Sequence, residues 1–243
     1  MNVGAIARNL RAFIRQHRAA FSYVPTRGSA LLELGALSVT AEHYRVCGYN
    51  VMPRRLRNGY FVVKTTARGY PSNFSYFDCI SSDHQKTDVE VHANLQVESA
   101  FTSKGIYVVD VGVVTHGIQT LHHKQNFKAL ANHELLTFLE VKNLVTYPML
   151  LAQFFGMVHE IRPRFLSGRR RPRGFRYSGH PDPALLTTGY LTNTGRAIVE
   201  NFENRNLKIS IVTNFELVLS KMRGGRVKTT PFDYNHIHKG RNI

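Results

Sequence analysis

Apolar and polar residues alternate along several segments of the chain, and the period of this alternation predicts strands. In DVEVHANLQVE, residues 88–98, apolar residues recur at every second position, which is typical of a strand with one buried face. The segments IYVVDVGVV (106–114) and TFLEV (137–141) are more continuously apolar, as expected for strands covered on both faces. Further runs rich in β-branched and aromatic residues predict strands at 60–66, 74–80 and 207–215.

Two longer segments have apolar residues at helical spacing. Residues 29–47 (SALLELGALSVTAEHYRVC) predict a helix with Ser29 as its N-cap and Gly48 as its terminator. Residues 148–161 (PMLLAQFFGMVHEI) begin with a proline, which suits the first turn of a helix, and carry a broad apolar stripe. Pro163 is expected to end this second helix.

The order of these elements predicts the fold class. A shorter helix is expected over 195–202, capped by Thr194. Helix, strands, helix and strand in this order indicate an α/β fold with a central mixed β-sheet flanked by helices. Because neither a repeat nor a low-complexity linker interrupts the chain, one domain is expected over 29–220. A basic segment (1–28) precedes it and a basic tail (221–243) follows. The composition of the first segment predicts a basic helix, although a transit peptide has a similar composition.

Charge narrows the class of partner. Lysine and arginine total 32 against 16 acidic residues, a net charge of +16. Such an excess favours a polyanion, because each basic side chain set against a phosphate releases counterions. No apolar run approaches the roughly 20 residues that a membrane span needs, so no membrane association is expected. The two cysteines, Cys47 and Cys79, form no CxxC pair and predict a reducing, intracellular location, cytoplasmic or nucleoid-associated.

An arginine-rich loop is predicted at 162–176 (RPRFLSGRRRPRGFR). It has no acidic residue, contains glycine and proline, and has Phe165, Phe175 and Tyr177 among or beside the arginines. This composition favours contact with phosphate and stacking on bases or sugars. The predicted nucleic-acid-binding residues are Arg162, Arg164, Arg169, Arg170, Arg171, Arg173 and Arg176.

Three ionisable residues interrupt the two most apolar strands. Asp110 lies within IYVVDVGVV, and Glu140 and Lys142 lie in FLEVK. Alternate residues of a strand share a face, so Glu140 and Lys142 are expected on one side of the sheet. Isolated charges are costly to bury, so these groups are expected to meet a counter-charge. Two carboxylates beside a lysine suit magnesium, which prefers carboxylate oxygens and binds next to substrate phosphate. The plain alternative is a salt bridge between Glu140 and Lys142.

These residues resemble the PD-(D/E)XK nuclease superfamily over about 29–161, by the position of its motifs. The resemblance implies a restriction-endonuclease-like core, in which Asp110 and Glu140 bind Mg²⁺ or Mn²⁺ and Lys142 assists the attacking water. It also implies an acid on the first helix, for which Glu33 is favoured over Glu42 because Glu42 is expected to face solvent. Gln153 matches a glutamine that some members carry after the lysine. Two departures are that Val109 replaces the proline before Asp110, and that thirty residues separate Asp110 from Glu140.

The expected function is therefore metal-dependent hydrolysis of phosphodiester bonds, with DNA favoured over RNA. The alternative is a non-catalytic nucleic-acid-binding protein that retains the nuclease fold. The sequence does not determine the oligomeric state, and both a monomer and a homodimer are compatible with it. The other ionisable residues are expected at solvent-facing strand or loop positions; these are Asp88, Glu90, Glu98, His116, His122, His123, His133, His159, His180, His236 and His238.

Overall fold

Helices and strands are interleaved along the residues that the computed structural model describes, which are 2–26, 28–83, 86–118, 129–167 and 180–222. The helices are α1 (Val3–Gln16), α2 (Gly28–Val46), α3 (Pro148–Ile161), α4 (Asn193–Asn204) and α5 (Phe215–Ser220). The strands are β1 (Ala20–Phe21), β2 (Tyr49–Arg54), β3 (Tyr60–Phe61), β4 (Tyr76–Ser81), β5 (Val89–Glu98), β6 (Ile106–Thr115), β7 (Ala129–Leu130), β8 (Leu135–Lys142), β9 (Ala184–Thr187) and β10 (Ser210–Val212). None of these helices is long and apolar enough to cross a bilayer.

One mixed sheet forms the centre of the structure, which confirms the predicted fold class. Its strands follow the order β10-β9-β8-β6-β5-β4-β2, and the short β7 also pairs with β5. Neighbouring strands are antiparallel among β2, β4, β5, β6 and β8, whereas β8, β9 and β10 are parallel to one another. The short β7 is parallel to β5. The strands β1 and β3 form a separate parallel pair.

Helices cover both faces of the sheet. On one face α1, α2 and α5 share a core with β4, β5, β6 and β8, while α3 packs on the other face with β9 and β10. Residues 34–44 of α2 are all buried, because α1, α5 and the sheet all pack against this helix. Helix α1 is amphipathic, with Ile6, Leu10 and Phe13 in the core. The predicted basic segment 1–28 therefore contributes to the core of the domain.

The two central strands change faces at one point. Val91 and Ala93 of β5 belong to the core that contains α2, whereas Leu95 belongs to the core that contains α3. In a regular strand Ala93 and Leu95, two residues apart, would share a face. The change occurs at Asn94, whose φ of 50° is left-handed, a conformation that asparagine adopts more readily than most residues. Strand β6 changes faces in register with it, so Val109 and Val111 contact opposite cores. Asp110 lies at this point of β6.

Several predicted boundaries were wrong for identifiable reasons. The run 60–66 forms a strand only at Tyr60–Phe61, because the chain beyond it turns around the buried Lys64 ammonium, which donates to the carbonyls of Thr66 and Ala67. Thr192, and not Thr194, caps α4, through a 3.1 Å bond from the Gly195 amide. The unpredicted β2 contains Pro53, which is tolerated because β2 is an edge strand.

The helix α2 begins one residue before the predicted cap, so Ser29 lies within its first turn. The predicted strand 207–215 is reduced to Ser210–Val212, and α5 begins at Phe215. The strand β9, with the sequence ALLT, was not predicted, because a run of three apolar residues carries no period by itself.

Candidate active site

The candidate site forms where β6 and β8 separate. The two strands pair from Val114–Leu135 to Val111–Leu139, and beyond this point β8 continues beside β9 alone. Asp110 is the next residue of β6. Its Oδ2 atom accepts a 2.7 Å hydrogen bond from the backbone amide of Val141, an amide that β6 would otherwise satisfy through a backbone carbonyl.

Asp110, Glu140 and Lys142 meet at this fork. The Lys142 ammonium donates to Glu140 Oε2 at 2.8 Å and to Asp110 Oδ2 at 3.4 Å. The two acids are thus both within ion-pair distance of one positive group, although thirty residues separate them in the chain. The Glu140–Lys142 salt bridge of the plain alternative is present, and Asp110 joins it.

Negative charge exceeds positive charge in this cluster. Burial and the neighbouring Asp110 raise the pKa of Glu140 to about 7. Burial would lower the pKa of Lys142, but the Glu140 and Asp110 carboxylates outweigh it and hold the pKa above its ordinary value. Both groups therefore retain protons more strongly than they would in water, which is expected where carboxylates outnumber the cations that compensate them.

Glu33 reaches the cluster from α2. Burial and the charge of Asp110 raise the pKa of Glu33, and the hydroxyl of Ser29 one turn earlier hydrogen-bonds to its carboxylate. The Asn94 amide donates to Glu33 Oε2 at 3.4 Å and to the carbonyl oxygen of Lys64 at 2.9 Å. Asn94 was not singled out from the sequence, and the one available signal was an asparagine within an apolar strand.

Glu42 lies at the other end of α2, nine residues or roughly 13 Å along the helix axis. The expectation that Glu42 faces solvent was wrong. It is fully buried, and Arg45 donates to both of its carboxylate oxygens at 2.8 and 2.7 Å. Of the two candidate helix acids, the structure therefore brings Glu33 to Asp110 and engages Glu42 in a separate ion pair.

The donor chemistry of the site fits a hard divalent cation. Glu140 Oε1 is buried and has no hydrogen-bond partner in the described part of the chain. Within the same ranges, no three side chains among histidine, cysteine, aspartate and glutamate are close enough to form a metal cage. Magnesium does not require one, because it is commonly held by one or two carboxylates together with water and substrate phosphate.

A cleft opens beside Glu140 and Lys142, between α3 and the strands β6, β8 and β9. Its volume is about 560 Å³, and most of its lining is apolar. Gln153 lines it from α3, so the structure places this predicted residue in the same cleft as Glu140 and Lys142.

The predicted arginine loop is described only in part. Arg162 is buried and donates to the Asn132 carbonyl at 3.0 Å, and burial together with Arg164 lowers its pKa to about 10. The expectation that Arg162 belongs to an exposed phosphate-binding loop is therefore corrected. Arg164 is exposed and packs its guanidinium over the Phe165 ring. The remaining predicted binders lie outside the described residues; these are Arg169, Arg170, Arg171, Arg173 and Arg176.

A second buried polar cluster corrects the interpretation of other acids and histidines. Glu90 is buried and bonds to His92 at 2.9 Å, so it does not face solvent. His116 is exposed as expected, and it bonds to the buried Asp78 at 2.8 Å. The partners lie on different strands or two positions apart, so no compact sequence motif marks them. His180 is likewise not a solvated histidine, since it bonds to the buried Tyr44 hydroxyl. His133 and His159 are exposed as expected. His122, His123, His236 and His238 lie outside the described residues.

Comparisons with protein-family models, with curated proteins and with solved structures gave no significant match to this chain.

Proposed function

We propose that this chain is a metal-dependent nuclease that hydrolyses phosphodiester bonds of DNA, with Mg²⁺ or Mn²⁺ as its cofactor. The observation that carries the proposal is the convergence of Asp110 and Glu140 on Lys142 at a fork in the sheet, with one Glu140 oxygen buried and unpartnered. A salt bridge that served only stability would need neither the second carboxylate nor an unsatisfied oxygen, since a buried unpaired polar atom costs about 1–3 kcal/mol.

Asp110 and Glu140 are the residues that would hold the cation. A divalent ion there would stabilise the charge that develops on the phosphate and favour ionisation of the attacking water. The Val141 amide fixes one oxygen of Asp110, which orients the carboxylate before any ligand arrives. Preorganisation of this kind removes a reorganisation cost from the reaction.

Lys142 would act through its charge. Because its pKa is raised, it keeps its proton at neutral pH and is a poor candidate for the base that deprotonates water. A protonated lysine can orient the water and stabilise negative charge on the phosphate. Glu33 lies near enough to Asp110 for the charge of Asp110 to raise its pKa. It would orient the attacking water from the side of α2.

A high net positive charge supports nucleic acid as the substrate, and the preference for DNA follows from the family resemblance. Both cysteines are free thiols, which supports the proposed intracellular location. The alternative function, binding of nucleic acid without catalysis, is supported by the same charge and by the Glu140–Lys142 ion pair.

A cleavage assay separates these two functions. Linear, circular, branched and single-stranded DNA would be incubated with Mg²⁺, with Mn²⁺ and with EDTA, using wild-type protein and Asp110→Asn. Asp110→Asn keeps an oxygen that can accept the Val141 amide bond but removes the charge. We expect metal-dependent products from the wild type and none from the variant. Binding of the same substrates without any products would favour the non-catalytic function.

A further inference from the structure

The cleft beside the candidate site is larger and more apolar than a phosphate needs. Its volume of about 560 Å³ lies within the range of 300–1,000 Å³ that is usual for small-molecule sites. Leu150, Phe154 and Leu185 line it from α3 and β9, and Phe155 and Met157 line it further along α3. A phosphodiester backbone is charged and strongly hydrated, so these walls fit a different part of the substrate.

Several polar side chains also line the cleft. Glu140 and Lys142 line the cleft together with Gln153. Tyr107 and Glu160 also line it, and the Tyr107 hydroxyl hydrogen-bonds to the Glu160 carboxylate. The cleft therefore combines apolar surface with a few groups that can donate or accept hydrogen bonds.

A glycine leaves part of the cleft open. Gly156 lies in α3 and lines the cleft, and no atom outside its own helix backbone and immediate neighbours lies within 4 Å of the position that its Cβ would occupy. Glycine in a helix interior costs roughly 0.5–1 kcal/mol relative to alanine. The helix thus carries a destabilising residue at a point where a side chain would occupy the open space.

We propose that this cleft holds the base of an unpaired nucleotide, so that the preferred substrate is DNA with an unpaired base beside the cleaved phosphate. The inference rests on the proposed nuclease function. A base has apolar faces that suit the walls and a hydrogen-bonding edge that suits Gln153 and Glu160. In an intact duplex the bases are stacked and paired, and none is free to enter. With its base in the cleft, the nucleotide would have its phosphate near Lys142, which lines the same cleft.

Charge favours this occupant over a purely apolar ligand. A lipid chain or a hydrophobic peptide side chain would bury the half-exposed Lys142 ammonium without replacing its solvent, which is costly. A nucleotide brings a phosphate to the lysine and a base to the walls. The net charge of +16 further favours an anionic ligand.

The test uses Gly156→Leu, with Gly156→Ala as its matched control. Leucine fills the open space, whereas alanine adds one methyl group, and both are better helix formers than glycine. Both variants are therefore expected to unfold at or above the wild-type temperature. Three DNAs of one sequence would be compared, namely an intact duplex, a duplex with one unpaired 2-aminopurine, and the single strand carrying 2-aminopurine.

Binding is measured in EDTA, so that it does not depend on cleavage. The two DNAs that carry 2-aminopurine are followed by its fluorescence, and the intact duplex is measured by competition against them. We expect quenching with the wild type and with Gly156→Ala, and affinity for the unpaired and single-stranded DNAs about five- to hundred-fold weaker with Gly156→Leu. Affinity for the intact duplex should not change. Equal affinity of Gly156→Leu and wild type for all three DNAs would overturn the inference, and so would an equal loss for all three.

Cleavage of the same DNAs with Mg²⁺ tests the proposed nuclease activity separately from the proposed binding of a base in the cleft. If wild type quenches 2-aminopurine but cleaves no DNA, the nuclease proposal fails and the cleft remains a binding site for an unpaired base. If wild type and Gly156→Leu both cleave the intact duplex and the unpaired substrate at equal rates, the nuclease proposal stands and the cleft inference fails.

Discussion

The backbone amide of Val141 donates a 2.7 Å hydrogen bond to Asp110 Oδ2, across the fork between β6 and β8. The same oxygen accepts the bond from Lys142, so Asp110 Oδ1 takes part in neither contact. Glu140 has the same arrangement, with Oε2 bound to Lys142 and Oε1 unpartnered among the described residues. Each carboxylate thus uses one oxygen to hold its position, Oδ2 in Asp110 and Oε2 in Glu140.

Removal of the lysine charge should separate catalysis from metal binding. We expect Lys142→Ala to lower the cleavage rate on the order of hundred-fold or more, because a positive group is lost where charge develops on the phosphate. Mn²⁺ and DNA affinity should be retained, since an ammonium is not a ligand for a hard cation. Asp110→Ala should lose both Mn²⁺ binding and cleavage. Isothermal calorimetry with Mn²⁺ and a gel assay on the same preparations measure the two effects.

Lys104→Ala removes an equal charge from an exposed lysine in the turn before β6 and serves as the control. It should cleave at the wild-type rate. A Lys142→Ala variant that also cleaves at that rate would reduce Lys142 to a strand salt-bridge partner, and the case for catalysis would then rest on the two acids.

The arginine loop is predicted to set affinity without setting sequence preference. Replacement of Arg169, Arg170 and Arg171 by alanine should weaken binding to all DNA sequences alike. It should also make the negative slope of log affinity against log salt concentration shallower, by about three at most. Each lost phosphate contact reduces the magnitude of this slope by about 0.9. Fluorescence anisotropy over a series of salt concentrations measures the slope.

A second triple variant controls for net charge. Arg8, Arg11 and Arg15 lie on the exposed face of α1, and their replacement by alanine removes the same three charges. We expect a smaller change of slope from this variant. If the two triple variants lower the slope equally, general charge explains the effect and the loop has no special place on the nucleic-acid path.

Asn94 should contribute to stability through its side chain and through its backbone conformation. Asn94→Gly keeps access to the left-handed φ but loses the bonds to Glu33 and to the Lys64 carbonyl, at a cost of about 1–3 kcal/mol. Asn94→Ala should cost about 1–2 kcal/mol more, because alanine is strained at that φ. Urea unfolding of both variants measures the difference. Equal stability of the two variants would show that the left-handed conformation is not maintained.

The half-buried His180 should make the protein less stable in mild acid. Burial and the nearby His43 lower the pKa of His180 to about 4, from an ordinary value of 6.5. Between these two values the unfolded chain binds a proton that the folded chain does not, so the free energy of unfolding falls as pH decreases. One such group contributes at most about 1.4 kcal/mol per pH unit. Chemical unfolding at a series of pH values between 7 and 4 measures the slope.

His180→Phe should flatten this slope, because the titrating group is gone. Tyr44→Phe is the control, since it removes the hydrogen bond to His180 but leaves the imidazole in place. A slope that is unchanged in His180→Phe would assign the acid sensitivity to other groups.

Local pattern alone determined the elements with the clearest periods. The bounds of α3 were predicted to the residue, because Pro148 and Pro163 mark its ends and its apolar stripe is regular. The strands β5, β6 and β8 were found within two residues. The shared face of Glu140 and Lys142 follows from the geometry of any strand, in which side chains alternate, so two residues at i and i+2 must lie together.

Tertiary structure alone decided which charged groups meet. Nothing local to Asp110 shows that it lies beside Lys142, because their approach depends on the pairing of β6 with β8 across thirty residues. Glu33 also depends on the fold, because the Asn94 amide that contacts it comes from β5, whereas Glu42 pairs with Arg45 only three residues further along its own helix. Burial of Arg162 depends on the Asn132 carbonyl, thirty residues away. Secondary structure is encoded over a few residues, whereas the environment of a charge depends on whatever the fold packs against it.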